Sequence, residues 1–236
     1  MKQALTLILA GLAVIFLAGC SAAPQSAGLD TPEKAVSAYV AAIAAGDFNA
    51  ALALCPADAM MKNFNEDEYK KISVIGSGSG SAEEIRSDYI RQTAVFASSL
   101  LQGEIADAGT VTLDAAWTAQ FLKENASGLK DLQAQRIDKP YKSNYNLEAD
   151  SDVYKQATQN SKLVWGTDGF TERIAFLSHN GKTFMAGFTL VEYGGTWSIW
   201  YPTSPFAELP AGGSAREMGQ DEYLKHVKPS ATASKE

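Results

Sequence analysis

Apolar residues recur at helical spacing near the start of the chain. Val36, Tyr39, Val40 and Ile43 fall on one stripe. Thr31 is a good N-cap, Pro32 and Glu33 suit the first turn, and Gly46 closes the helix. Asp47 caps a second helix with Phe48, Leu52 and Cys55 on one side, and Pro56 stops it. A helical turn is expected near Glu66–Lys71, and the Gly-Ser run from Gly76 to Ser81 reads as a loop. Ser81 and Glu84 form a capping box for a third helix, whose apolar face is Ile85, Tyr89, Phe96 and Leu100.

The period then changes to two. Val111, Leu113, Ala115 and Trp117 alternate with Thr110, Thr112, Asp114 and Ala116, which predicts strand structure bent near Ala108-Gly109. Residues 119–136 read as a polar helix, and 137–168 as loop-rich with a short helix near Val153–Ser161. The clearest β pattern comes later. Glu172–Ser178, Thr183–Tyr193 and Thr196–Tyr201 read as strands joined at Asn180-Gly181 and Gly194-Gly195, an antiparallel meander. Strict alternation places Trp197, Ile199 and Tyr201 on one face and Trp200 on the other. After Pro205 the chain turns small and polar, with one helix expected at Ala215–His226 and a disordered end.

The first residues have a different character. Lys2 is the only charge before Asp30, and an apolar stretch runs from Leu5 to Ala18. That is short for a membrane span and has the layout of an export signal. It ends in Leu17-Ala18-Gly19-Cys20, which resembles the lipobox of bacterial lipoproteins. The resemblance implies cleavage before Cys20, a diacylglyceryl thioether on Cys20, and palmitate-type acyl chains holding the protein at a membrane. The expected organisation is a signal peptide over 1–19 and a lipidated tether over 20–29. A domain over 30–206 and a polar tail over 207–236 follow. The implied location is the cell membrane or outer membrane, facing away from the cytoplasm.

Charge and composition narrow the chemistry. The net charge of −7 argues against nucleic acid as a partner. Two cysteines exclude a disulfide scaffold, and two histidines exclude a histidine-rich metal site. Gly181-Lys182-Thr183 lacks the upstream glycine of a phosphate loop, because Phe176 stands there. Asp150-Ser151-Asp152 starts like a calcium loop, but Lys155 occupies the glycine position. No zinc spacing and no nucleophile elbow occur, so no metal, cofactor or catalytic residue is assigned. His179 reads as an exposed turn residue, His226 as solvated and Cys55 as core-facing. The late aromatics divide between core and surface, and Trp117, Trp165, Trp197, Trp200 and Tyr201 are the candidates for a pocket or partner surface.

Two segments carry a family likeness. Thr31-Pro32-Glu33-Lys34-Ala35-Val36 with Tyr39 and Ala45-Gly46-Asp47-Phe48 resembles the opening of the nuclear transport factor two-like superfamily. Tyr193-Gly194-Gly195-Thr196-Trp197-Ser198-Ile199 resembles its closing hairpin. The resemblance implies an α+β fold, with N-terminal helices packed on a curved antiparallel sheet as a cystatin-like cone. Relative to a minimal cone, residues 119–168 would be an insertion. The functional expectation is a non-catalytic extracytoplasmic module binding an unknown protein or small ligand. The alternatives are an isomerase- or cyclase-like enzyme with a pocket in the cone, or an envelope structural protein.

Overall fold

A computed structural model describes residues 29–72, 81–102, 114–142, 148–209 and 212–227. Cys20, the tether up to Gly28 and the expected strand residues 110–113 lie outside them. Helix α1 (Pro32–Ala44) starts where the Thr31 hydroxyl accepts the Lys34 N–H at 3.3 Å. The Asp47 carboxylate accepts the Ala50 N–H and starts α2 (Phe48–Leu52). Two short helices follow, α3 (Ala57–Lys62) and α4 (Glu66–Ile72), and then the long α5 (Ala82–Gln102) behind its Ser81 cap.

Asp114 is the point at which the alternating pattern misleads. Its carboxylate accepts the Trp117 N–H at 2.8 Å and caps α6 (Ala115–Leu129), so Ala115 and Trp117 are helical. A local cap and the burial of Thr118, Leu122 and Leu129 outweigh a short period-two run. The α6 backbone presses on the α1–α2 corner. A Cβ on Gly46, whose φ is +67°, would lie 2.8 Å from the Leu122 carbonyl oxygen. The chain then enters β1 (Gln133–Asp138), not a longer helix. The first part of the expected insertion is thus built into the fold: Leu122, Leu129 and Leu132 join the main core and β1 pairs with the sheet. The segment that follows β1 contains α7 (Asp152–Trp165), capped by Ser151 and ended by Gly166 in the left-handed region.

The meander forms as the turn chemistry requires. β2 (Gly169–His179), β3 (Lys182–Tyr193) and β4 (Thr196–Tyr201) are joined at Asn180-Gly181 and Gly194-Gly195, all four residues having positive φ. The sheet order is β1-β2-β3-β4, all antiparallel, and β5 (Arg216–Glu217) pairs β3 beyond the end of β4. One face carries Ala175, Leu177, Phe184, Ala186, Phe188, Leu190 and Ile199 against the N-terminal helices. The Tyr39 ring meets Tyr89, Phe96 and Phe188 edge-on there. This α+β arrangement is the expected one.

The opposite face is covered as well. Ile174 and Met185 pack with Phe206, Ala207, Met218, Tyr223 and Val227, the last two flanking or within α8 (Gln220–Tyr223) and its following turn. The expected polar tail thus contributes a second core, and the folded unit continues to at least Val227. His226 is buried, with Nδ1 3.8 Å from a Glu208 oxygen, and is not solvated. His179 is buried too. Its Nδ1 lies 2.7 Å from Asp131 Oδ1, while Asp131 Oδ2 accepts the Asn180 N–H, so one aspartate clamps the turn.

Candidate functional site

The sheet edge opens where β1 ends. Asp138 pairs with Ile174, but Lys139 to Tyr141 do not continue along β2. Pro140 bridges to Val227 and the Tyr141 N–H donates to the His226 carbonyl at 2.6 Å. This divergence leaves Gly169–Arg173 without β1 beside it. A pocket of about 440 Å³ fills the gap, lined by Lys139, Pro140, Tyr141, Ala149, Asp150, Tyr154, Thr171 and Glu172. That volume falls within the range of small-molecule sites, about 300–1,000 Å³.

Glu172 stands on the β2 face that also carries Phe170, Ile174 and Phe176, an acidic residue in an apolar row. It is buried, and the Thr189 hydroxyl lies 3.0 and 3.1 Å from its two carboxyl oxygens. Burial pushes its pKa up to about 8, against the opposing pull of hydrogen bonds from Ser204 and Thr189 and of the Arg173 charge. At neutral pH the group keeps its proton and can donate as well as accept.

Arg173 points to the helix face. Its Nε donates to Glu33 at 2.6 Å, and Nη1 donates to the Thr171 hydroxyl and the Glu172 carbonyl at 2.6 and 2.8 Å. Burial raises the Tyr154 hydroxyl pKa, next to the Glu172 carboxyl, with hydrogen bonds to the Glu172 backbone and the Thr171 side chain opposing the shift. Tyr154 is held by ring contacts to Phe170 and Phe206 at 5.8 and 5.6 Å. The polar groups at the base of the pocket are thus satisfied internally. The backbone groups of Glu172 are engaged by Arg173 and Tyr154, which disfavours addition of a further strand there.

None of the aromatic candidates from the sequence lines this pocket. Trp165, Trp200 and Tyr201 do come together, with ring centroids 5.8 Å apart for Trp165–Trp200 and 5.3 Å for Trp200–Tyr201. They extend into a packed cluster with Phe64, Tyr69 and Phe170. Trp117 stacks on Phe121 of α6, and Trp197 packs against the main core, both elsewhere. Tyr201 does not share a face with Trp197 and Ile199. A register shift pairs Ile199 with Leu190 but Tyr201 with Thr189, so the bulge turns Tyr201 to the side of Trp200. Cys55 is half-buried between two apolar clusters, and burial pushes its thiol up to about 11, as a core-facing cysteine requires.

Among the described residues no group of histidine, cysteine and carboxylate side chains is arranged to hold a metal ion. None of their helices is long and apolar enough to cross a membrane. No protein-family model and no curated protein matches this chain. Among solved structures it is similar to a cystatin-like protein from Ruminococcus gnavus, with 20% identity and a TM-score of 0.45. The similarity covers 83% of this chain and 42% of that one, so the chain spans less than half of that protein.

Proposed function

We propose that this chain is a membrane-anchored extracytoplasmic lipoprotein. Its folded domain binds a small ligand in the pocket beside Glu172. The pocket carries this reading. It is sized for a small molecule, has an apolar and aromatic wall, and contains a buried carboxyl that stays protonated near neutral pH. The export signal and the Leu17-Ala18-Gly19-Cys20 stretch support the anchoring. The domain is proposed as a divergent member of the nuclear transport factor two-like superfamily. The Gly46-Asp47 corner between α1 and α2 and the hairpin at Gly194-Gly195 support this, since both occur where the resemblance expects them.

A thermal-shift screen of small molecules against the full chain and an Ala149→Trp variant tests the binding reading. The added indole fills the pocket from its wall. Compounds that stabilise the parent and not the variant support the pocket. Stabilisation of both alike would place binding elsewhere.

One observation favours a second reading. A buried carboxyl with a raised pKa is a common arrangement for a general acid, and Glu172 has that character. In this reading the same pocket is an isomerase- or cyclase-like site. Conversion of a bound compound by the parent chain, lost in Glu172→Gln while binding persists, would establish it.

A further inference from the structure

The pocket is graded in polarity in a way that bears on what it takes. At its base, Thr171 receives Arg173 Nη1, the Glu172 backbone is bonded to Arg173 and Tyr154, and the Glu172 carboxyl is bonded to Thr189. These groups have their partners within the protein and have little left to offer a charged ligand. The side wall is apolar, from Pro140, Ala149 and the Tyr154 ring. Two charges remain, Lys139 and Asp150, of opposite sign and both exposed at the pocket. Neither forms an ion pair among the described residues. Lys139 follows β1 and Asp150 precedes the Ser151 cap of α7, so they reach the pocket from two different elements.

We propose that the pocket selects a small zwitterion, with its anionic group on Lys139, its cationic group on Asp150, and an apolar body against Pro140, Ala149 and Tyr154. The inference rests on the reading of this pocket as a binding site. A ligand with one net charge would satisfy one rim group and set its like charge against the other. A neutral ligand would leave both solvated. A dipolar ligand answers both at once, and its zero net charge suits a rim with none.

The test uses the dipeptide Gly-Phe, its N-acetyl form, its C-terminal amide and the doubly capped form, titrated calorimetrically into the full chain. Gly-Phe should bind, and each cap should weaken binding about two- to fivefold, the worth of an exposed ion pair. In Lys139→Met, amidation should no longer matter while acetylation still does. In Asp150→Asn the pattern should reverse. Both side chains are exposed, so both variants keep the packed core intact. The proposal is overturned if the doubly capped peptide binds as tightly as Gly-Phe, or if none of the four binds. Ala149→Trp separates the two claims. If the doubly capped form binds the parent as tightly as Gly-Phe and Ala149→Trp abolishes both, the pocket binds ligands but does not select charge. If it leaves Gly-Phe binding unchanged, the pocket reading itself fails.

Discussion

Glu172 of β2 and Thr189 of β3 face each other across the ladder, and one hydroxyl lies within 3.1 Å of both carboxyl oxygens. A hydroxyl has one proton to give. It also lies 2.8 Å from the Thr203 carbonyl. A carboxylate here can only accept, in competition with that carbonyl for the one proton, whereas a protonated carboxyl can also donate its own proton to the Thr189 oxygen.

The pH dependence of stability follows from the burial of Glu172, which outweighs the hydrogen bonds from Ser204 and Thr189 and the Arg173 charge. Glu172 has an ordinary carboxyl pKa of 4.5 when unfolded and about 8 when folded. Between those values the folded state binds more protons than the unfolded state, so stability falls as pH rises through the window. Below pH 4.5 there is no cost, and above about pH 8 the cost is complete, on the order of 3–5 kcal/mol. Glu172→Gln removes the titration. Urea unfolding should find the variant close to the parent at the acid end of the window and more stable than it above the window. Parallel stability curves across the window would show that the carboxyl ionises freely in the fold.

The second core makes the chain after β4 essential to the fold. Phe206 is fully buried, and Phe206→Ala should cost about 3–5 kcal/mol. Gly187 supplies a separate check from the sheet side. A Cβ there would lie 2.6 Å from Ser204 Cβ and 2.8 Å from the Ser204 backbone nitrogen. Gly187→Ala should therefore destabilise by about 1–3 kcal/mol through overpacking. Denaturant midpoints for the two variants decide this, and unchanged midpoints would detach residues 204–207 from the sheet.

These packing relations show which parts of the fold could be read from the sequence. Caps and turns are local chemistry, so Thr31, Asp47, Ser81, Asn180-Gly181 and Gly194-Gly195 all marked their elements correctly. Alternation failed at Asp114, where a cap competes with it, and at Tyr201, where a bulge interrupts it. The second core was hidden because it depends on contacts between residues far apart in the chain. Phe206, Met218, Tyr223 and Val227 are spaced through a small, polar stretch and have no period of their own. The candidate site was partly legible. Glu172 interrupts the apolar row Phe170, Ile174, Phe176, and that irregularity was available in the residues alone. Its neighbours Lys139, Tyr141 and Asp150 come from a loop that no pattern directs to the β2 edge.

The proposed anchoring rests on a single side chain. Cys20→Ala should abolish incorporation of labelled fatty acid, retain the leader, and change how the protein is released from membranes by detergent. Normal labelling and processing of the variant would refute lipidation at Cys20.

With Cys20 replaced, Cys55 is the one remaining thiol of the two in the chain. Burial raises its pKa to about 11, so very little thiolate exists near neutral pH. Ellman's reagent should react slowly with the native Cys20→Ala variant at pH 8 and rapidly after addition of denaturant. Equal rates in both states would place Cys55 on an accessible surface.

The proposed ligand capture at the β2 edge is most directly examined by hydrogen–deuterium exchange of the full chain, with and without a compound that stabilises it. The account predicts added protection confined to peptides covering 139–142, 148–154 and 169–173, the residues that build the pocket. Protection concentrated instead on Trp197–Tyr201, or on α5 and α6, with the pocket peptides unchanged, would contradict it.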